Sequence, residues 1–130
     1  MSFTNNQGIS SVTGFASAAI TRRRFVRFTA ANFVATQVAA ASEIADGVAT
    51  ESQATVGGAL EVQTDGIALM EAGAAIAAGA EVTSDASGRA ITAASGNVAH
   101  GKMVGPAAGA AGEFIQIKLK TPNVRGPVIP

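Results

Sequence analysis

Few side chains in this sequence are of the types that carry out catalysis or bind metals. His100 is the only histidine and cysteine is absent, so a thiolate nucleophile, a cysteine zinc site and a paired-histidine site are all excluded. A lone histidine is typical of a surface or half-buried strand position. The eight acidic residues from position 43 to 99 are spaced singly and indicate no catalytic carboxylate pair. The glycines form neither a phosphate-binding loop nor a dinucleotide fingerprint. We therefore expect no enzyme activity, no cofactor and no metal.

One lysine lies in a sequence setting that carrier domains also use. In GKMVG, Lys102 precedes Met103 within a strand-like stretch. Biotin and lipoyl carrier domains attach their cofactor to a lysine at the tip of a tight hairpin, with flanking residues that this stretch lacks. A carrier role for Lys102 is therefore an alternative to an exposed strand lysine.

Arginines and phenylalanines cluster near the start of the chain. The arginines could contact phosphates, but no tyrosine or tryptophan is present to stack on bases, and the acidic middle of the chain would repel a nucleic-acid backbone. No direct contact with nucleic acid is expected. The cluster indicates either a contact with an acidic protein surface or a first strand with a solvated basic face. Its members, in the stretch TRRRFVRF, are Arg22, Arg23, Arg24, Phe25, Arg27 and Phe28.

The composition limits how much apolar surface one copy of the chain can bury. The 130 residues include 29 alanines and 15 glycines, and small side chains bury little area each. Either partner subunits supply much of the stability, or the bias reflects codon usage alone. The net charge is zero, but residues 1–42 carry +4, residues 43–99 carry −7 and residues 100–130 carry +3. This asymmetry indicates contacts with partners. The polar N-terminus predicts no secretory signal, and no apolar run is long enough to cross a membrane.

Short strand patterns separated by turns run through the middle of the chain. GALEVQT and GIALM both alternate, which predicts that Ile67 and Leu69 of the second face inward, and the polar TDG between them suits a strand reversal. EAGAAIAAGA is too short between its glycines to hold a helix, so it is predicted to be a loop or a single turn. GEFIQIKLK predicts the strongest strand, with its isoleucines and leucine on one face.

The stretch GAEVTSDASGRAI predicts two strands joined by a polar turn. Asp85 and Ser87 can hydrogen-bond to turn amides, Gly88 adopts positive φ at low cost, and Arg89 is predicted to be an exposed charge. Many short strands with regular turns predict an all-β fold, a small barrel or sandwich. The expected organisation is an extended N-terminal arm over residues 1–24, a β domain over 25–120 and an extended proline-rich C-terminal tail over 121–130.

The order and spacing of four pieces resemble the small capsid decoration, or cement, proteins of tailed bacteriophages. The pieces are a GIA step at 66–68, an AIAAG loop at 75–79, the VTSDASGRA hairpin at 82–90, and a glycine- and alanine-rich lead into the final strand at 105–119. The likeness covers about residues 45–119. These motifs are structural turns, and no counterpart is found for the long N-terminal segment or the proline-rich tail.

The resemblance implies a non-enzymatic virion protein with a small β-fold of tulip or barrel type. Such proteins lie on the outer surface of the assembled icosahedral head, often as homotrimers at threefold and quasi-threefold positions. They clamp neighbouring major capsid protein subunits, and they are made in the host cytoplasm without a membrane partner. On this resemblance, the arginine and phenylalanine cluster is predicted to contact capsid protein or a neighbouring copy. A tail or fibre accessory protein of the same particle is the alternative.

Overall fold

The computed structural model describes residues 11–30 and 32–120, and within these ranges it contains ten β-strands and no helix. This confirms the all-β prediction, and it confirms that the alanine-rich stretch around Ile76 is not helical. Among the described residues, no helix is long and apolar enough to cross a membrane. The strands are β1 (Ser11–Ala16), β2 (Phe25–Ala30), β3 (Val34–Gln37), β4 (Gly47–Ala49), β5 (Ala59–Gln63), β6 (Ile67–Glu71), β7 (Glu81–Ser84), β8 (Ala90–Thr92), β9 (Gly101–Met103) and β10 (Phe114–Leu119).

The first five strands close into a barrel in the order β1-β3-β2-β4-β5. β1 closes it, because it pairs antiparallel with β5 and parallel with β3. The wall is tight at Gly47, where a Cβ atom would collide with the Gln63 carbonyl oxygen and lie 2.7 Å from Val62 Cγ1. The interior is filled mainly by small and branched side chains, namely those of Ala16, Ile20, Val26, Ala35, Ala49, Leu60 and Val62.

The last five strands form an antiparallel sheet in the order β6-β10-β9-β7-β8. β10 buries Ile115, Ile117 and Leu119 and exposes the side chains between them, as its alternation predicts. The buried face of this sheet packs against Phe25, Val38, Ala45 and Val48 from the barrel half of the chain. Barrel and sheet therefore share this apolar core, which is distinct from the cluster inside the barrel.

Part of the predicted N-terminal arm belongs to the barrel. The arm was expected to run to residue 24, but Ser11–Ala16 is the closing strand of the barrel. Its alternation is weak because the inward positions carry only small or half-buried side chains, so the stretch resembles an arm in sequence. Residues 1–10 of the predicted arm and the predicted tail 121–130 lie outside the described residues.

The TDG stretch does not close a hairpin, which corrects the sequence-based expectation. β5 stays in the barrel and pairs with β1 and β4, whereas β6 pairs with β10. The turn links the barrel to the second sheet: the Gln63 side-chain amide donates to the Asp65 and Ile67 carbonyls at 2.8 and 3.0 Å. The Leu119 amide in turn donates to the Gly66 carbonyl at 2.9 Å, which attaches the turn to β10.

The inward face of β6 is the opposite of the predicted one. Ala68 and Met70 are fully buried, whereas Ile67 is 51% and Leu69 39% exposed. The reason is the register with β10, which places Ala68 opposite Ile117 and Met70 opposite the buried Ile115. Directly opposite residues share a face of the sheet, so β6 must present Ala68 and Met70 to the core.

Candidate protein-binding surfaces

The first two arginines of the predicted contact cluster lie in the turn that leads into β2. Arg22 is exposed, and its backbone N–H donates to Ser52 Oγ at 2.9 Å. Arg23 is half-buried and has a φ of 62°. The Arg23 N–H donates to the Ala49 carbonyl at 2.7 Å, and its carbonyl accepts from the Glu71 N–H at 3.1 Å. The backbone of Arg23 therefore connects the barrel to the second sheet.

Arg24 takes part in an ion-pair network inside the protein. Its Nε and Nη2 atoms lie 3.2 and 3.0 Å from Glu71 Oε1, and its Nη1 donates to the Ser87 carbonyl at 3.0 Å. Arg89 completes the network, 3.7 Å from Glu71 Oε2 and 3.2 Å from Asp85 Oδ2. The side chains of Arg24 and Glu71 are only 17% and 19% exposed. Arg24 and Arg89 therefore join the two halves of the fold, and Arg89 is not the isolated surface charge that its position in the hairpin predicts.

The phenylalanines of the cluster pack into the protein. Phe25 is fully buried, and its ring centroid lies 4.8 Å from that of the buried His100. Phe28 is half-buried and packs against the barrel interior. Arg27 forms an ion pair with Glu43 at 3.4 Å and keeps a side chain that is 39% exposed. Phe25 is thus a core residue, and Arg22 is the exposed arginine of the cluster, whereas Arg23, Arg24 and Arg27 are half-buried.

The turn between β7 and β8 is built by Asp85, Ser87 and Gly88. Asp85 Oδ1 accepts from the backbone N–H groups of Ser87 and Arg89 at 2.8 and 2.9 Å, and Gly88 has a φ of 80°. Gly88 also lies close to the barrel: a Cβ atom there would be 3.2 Å from the Val38 carbonyl oxygen, and its own carbonyl accepts from the Phe25 N–H at 2.8 Å. The turn therefore docks on the barrel and leaves little of its backbone for a partner.

The two residues singled out for possible chemistry, His100 and Lys102, flank Gly101 at the start of β9. His100 is fully buried, so the surface or half-buried position expected for it is wrong. The described residues contain no group of histidines and acids arranged to hold a metal ion. Lys102 lies in the middle of β9, opposite Lys118 on one side and Glu81 on the other, and not at a turn tip as a carrier lysine would be.

The exposed side of the second sheet carries large apolar side chains that the sequence patterns did not identify. Ile67, Leu69, Val104 and Phe114 are between 39% and 51% exposed, and they stand among Lys102, Gln116 and Lys118. We call these seven residues the sheet face. Large exposed apolar patches mark contact surfaces in other proteins, which makes the sheet face a candidate contact.

A second exposed apolar feature lies at the tip of the β2–β3 hairpin. Phe33 is 51% exposed and has a φ of 58°, which is unusual for a bulky side chain. Its ring meets the edge of Phe28, with centroids 5.3 Å apart at 82°. A non-glycine residue in this conformation costs about 1–2 kcal/mol. Nothing in the fold requires that the residue at this position be a phenylalanine. Asn32, beside it in the same turn, also has a positive φ of 65°, so the exposed ring of Phe33, rather than its backbone, makes it a candidate contact.

The comparisons with known proteins agree with a structural, non-catalytic chain. Residues 4–119 match the family model described as phage cement protein, and the chain belongs to that family. No curated protein matches it. Among solved structures it is similar to the head fiber gp8.5 N base in bacteriophage phi29, with a TM-score of 0.71 and 18% identity over 94% of this chain and 99% of that one. At this identity the likeness shows the fold, and the family shows a structural protein of the phage head.

Proposed function

We propose that this protein is a capsid decoration protein that binds the outside of the assembled phage head and clamps neighbouring major capsid protein subunits. The observation that carries the proposal is the family match, which spans both the barrel and the second sheet. The absence of a metal group among the described residues and the mid-strand position of Lys102 add no support for an enzyme or a carrier domain. We further propose that it acts as a homotrimer at threefold and quasi-threefold positions.

The hairpin tip and the accessible arginines are the proposed capsid contact. The sequence predicted Arg22, Arg23, Arg24, Phe25, Arg27 and Phe28. Of these, we retain Arg22, which is exposed, and Arg27, whose side chain is 39% exposed. The apolar part of the contact is assigned to Phe33, because Phe25 is buried in the core. An exposed ion pair contributes only about 0–1 kcal/mol, so a buried aromatic anchor supplies more of the affinity than the arginines do.

A second candidate is the base of a head fibre, because the phi29 structure to which this fold is similar is described as a head fiber base. A clamp would stabilise the head by itself, whereas a fibre base need only be attached to it. The two are distinguished by asking whether the purified full chain alone restores the stability of heads that lack it.

The test is a binding assay on purified heads that lack the protein. Heads are mixed with the full chain and sedimented, the bound copies per head are counted, and the resistance of the heads to heating is measured. We expect saturable binding in a fixed ratio to the major capsid protein, together with raised resistance to heat. If the protein binds heads without raising their stability, the proposed clamp is wrong and the fibre-base function remains.

Point substitutions test the contact better than a deletion of residues 1–28, because that deletion removes β1 and most of β2. Phe33→Asn takes away the aromatic anchor and puts a residue there that tolerates positive φ. Val56→Asn is the matched control, since Val56 is 70% exposed and lies in the turn before β5. We expect at least a tenfold loss of head affinity for Phe33→Asn and no change for Val56→Asn. Equal affinities for both variants would overturn the role of Phe33.

A further inference from the structure

The sheet face is arranged in rows across three strands. Strand register places Ile67, Lys118 and Lys102 side by side in one row. The next row begins with Leu69 opposite Gln116 on β10. Val104 joins it from the end of β9, because its N–H donates to the Gln116 carbonyl at 3.0 Å. The face is therefore continuous across β6, β10 and β9, and it mixes apolar side chains with positive charge.

The two lysines indicate which kind of surface covers this face. Lys102 and Lys118 are directly opposite on neighbouring strands, and like charges in that arrangement repel. Glu81 lies on the other side of Lys102, but its carboxylate is bonded to Lys120 at 3.1 Å. Among the described residues, no ion pair engages Lys102 or Lys118. An acidic, partly apolar partner surface would relieve the repulsion and cover the apolar side chains.

The barrel of the same chain carries a surface of that kind. On the outside of β1 and β5, Thr13 is opposite Glu61 and Phe15 is opposite Ala59. All four are exposed, including Phe15 at 40%. Glu51 lies beside them, since its Oε2 accepts from the Glu61 N–H at 3.1 Å. We call these five residues the barrel face.

The two faces are complementary in charge. Glu51 and Glu61 give the barrel face two negative charges, and within the described part of the chain neither is in an ion pair. Lys102 and Lys118 give the sheet face two positive charges. Beside the two glutamates and Phe15, the barrel face has only the small side chains of Thr13 and Ala59. A partner surface can therefore approach β1 and β5 closely.

We propose that the sheet face of one copy binds the barrel face of the next copy. Because the two faces are different surfaces, the contact runs head to tail and closes into a ring when the rotation between copies completes a circle. This deepens the proposed function, since it rests on the proposed self-association and names the surfaces that form it.

A charge-exchange experiment tests the pairing of the two faces. The full-length protein, Lys118→Glu, Glu61→Lys and the double variant are compared by sedimentation velocity over a range of protein concentrations. In each single variant, like charges meet across the contact, so we expect at least a tenfold weaker association. In the double variant the charges are exchanged, so we expect association within about threefold of the original protein. Val56→Asn is the matched control and should associate normally.

The outcomes separate this inference from the proposed function. If the original protein associates but neither single variant weakens it, or if the double variant is as weak as the single ones, the pairing of these faces is wrong and the decoration function stands. If the original protein is monomeric at all concentrations, both the pairing and the proposed homotrimer are wrong, while head binding is judged by its own assay. Circular dichroism of each variant verifies that the fold is retained, and the recovery in the double variant separates charge pairing from a folding defect.

Discussion

Replacing Phe25 with alanine distinguishes a core residue from a binding anchor. The side chain is fully buried in the core that barrel and sheet share, and it contacts the ring of His100. Removing a buried phenylalanine side chain costs about 3–5 kcal/mol, because the transfer free energy is lost and a cavity remains. For a chain of this length we expect a fall in Tm of about 10–20 °C.

Phe33→Ala is the matched control, because it makes the same chemical change at a half-exposed position. It loses about half of a phenylalanine's burial, about 1 kcal/mol, and an edge contact with Phe28 worth about 0.5–1.5 kcal/mol. We therefore expect Phe25→Ala to be the more destabilising variant by about 2 kcal/mol.

Urea denaturation followed by far-ultraviolet circular dichroism is the suitable assay, since the chain has neither tryptophan nor tyrosine for fluorescence. All variants are measured at one protein concentration, because self-association shifts the apparent stability. The free energy of unfolding is compared between the two alanine variants. If Phe25→Ala proves no more destabilising than Phe33→Ala, the assignment of Phe25 to the core is refuted and its sequence-based role as a contact residue is restored.

Three further substitutions test close packing, the hairpin turn and the ion pairs between the two halves of the fold. Gly47→Ala should lower the free energy of unfolding, measured by urea denaturation, by at least about 2 kcal/mol, because the new Cβ meets backbone atoms of β5. The control Gly105→Ala has room for a Cβ and should lower it by less than about 0.5 kcal/mol. Equal effects would contradict the tight barrel wall. Asp85→Ala removes the acceptor of two backbone N–H groups and should cost about 1–2 kcal/mol, whereas Asp85→Asn should recover part of that loss. Glu71→Gln removes the charge that pairs with Arg24 and Arg89 and should lower the free energy of unfolding by about 1–2 kcal/mol at low salt. This difference should shrink at a salt concentration of about 1 M NaCl. A loss of stability that does not depend on salt would argue against an ionic role for Glu71.

The local features of the fold were predictable, and the closure of the barrel was not. GEFIQIKLK alternates with a period of two residues, and the polar turn of GAEVTSDASGRAI is formed by adjacent residues. Both the strand and the turn could therefore be predicted from the sequence. β1 closes the barrel through partners far along the chain, with Ser11 opposite Gln63 and Phe15 opposite Val34. Such non-local pairing leaves no short-range pattern, and the small side chains of β1 resemble those of an extended arm.

The burial of Phe25 was not predicted, for a related reason. Phe25 and Val26 are consecutive apolar residues, which is poor alternation for a strand with one exposed side. Both are fully buried, because Phe25 faces the core shared with the second sheet and Val26 faces the barrel interior. A strand buried on both faces has a continuous apolar run. The broken alternation was therefore the signal that β2 lies between two packed layers, and that its phenylalanine is internal.

The reversed orientation of β6 is itself evidence for a partner surface. Alternation shows that Ile67 and Leu69 point away from Ala68 and Met70, but it leaves open which pair faces the core. Placing the bulkier pair inside is correct when burial within one copy is the only demand on the strand. Here β10 fixes the smaller pair inside, and it also turns Phe114 outward beside the buried Ile115. β6 therefore exposes Ile67 and Leu69, and β10 adds Phe114 on the same side of the sheet. Contact with a partner surface would explain why both strands expose apolar side chains here. The acidic barrel face of a second copy would supply that surface.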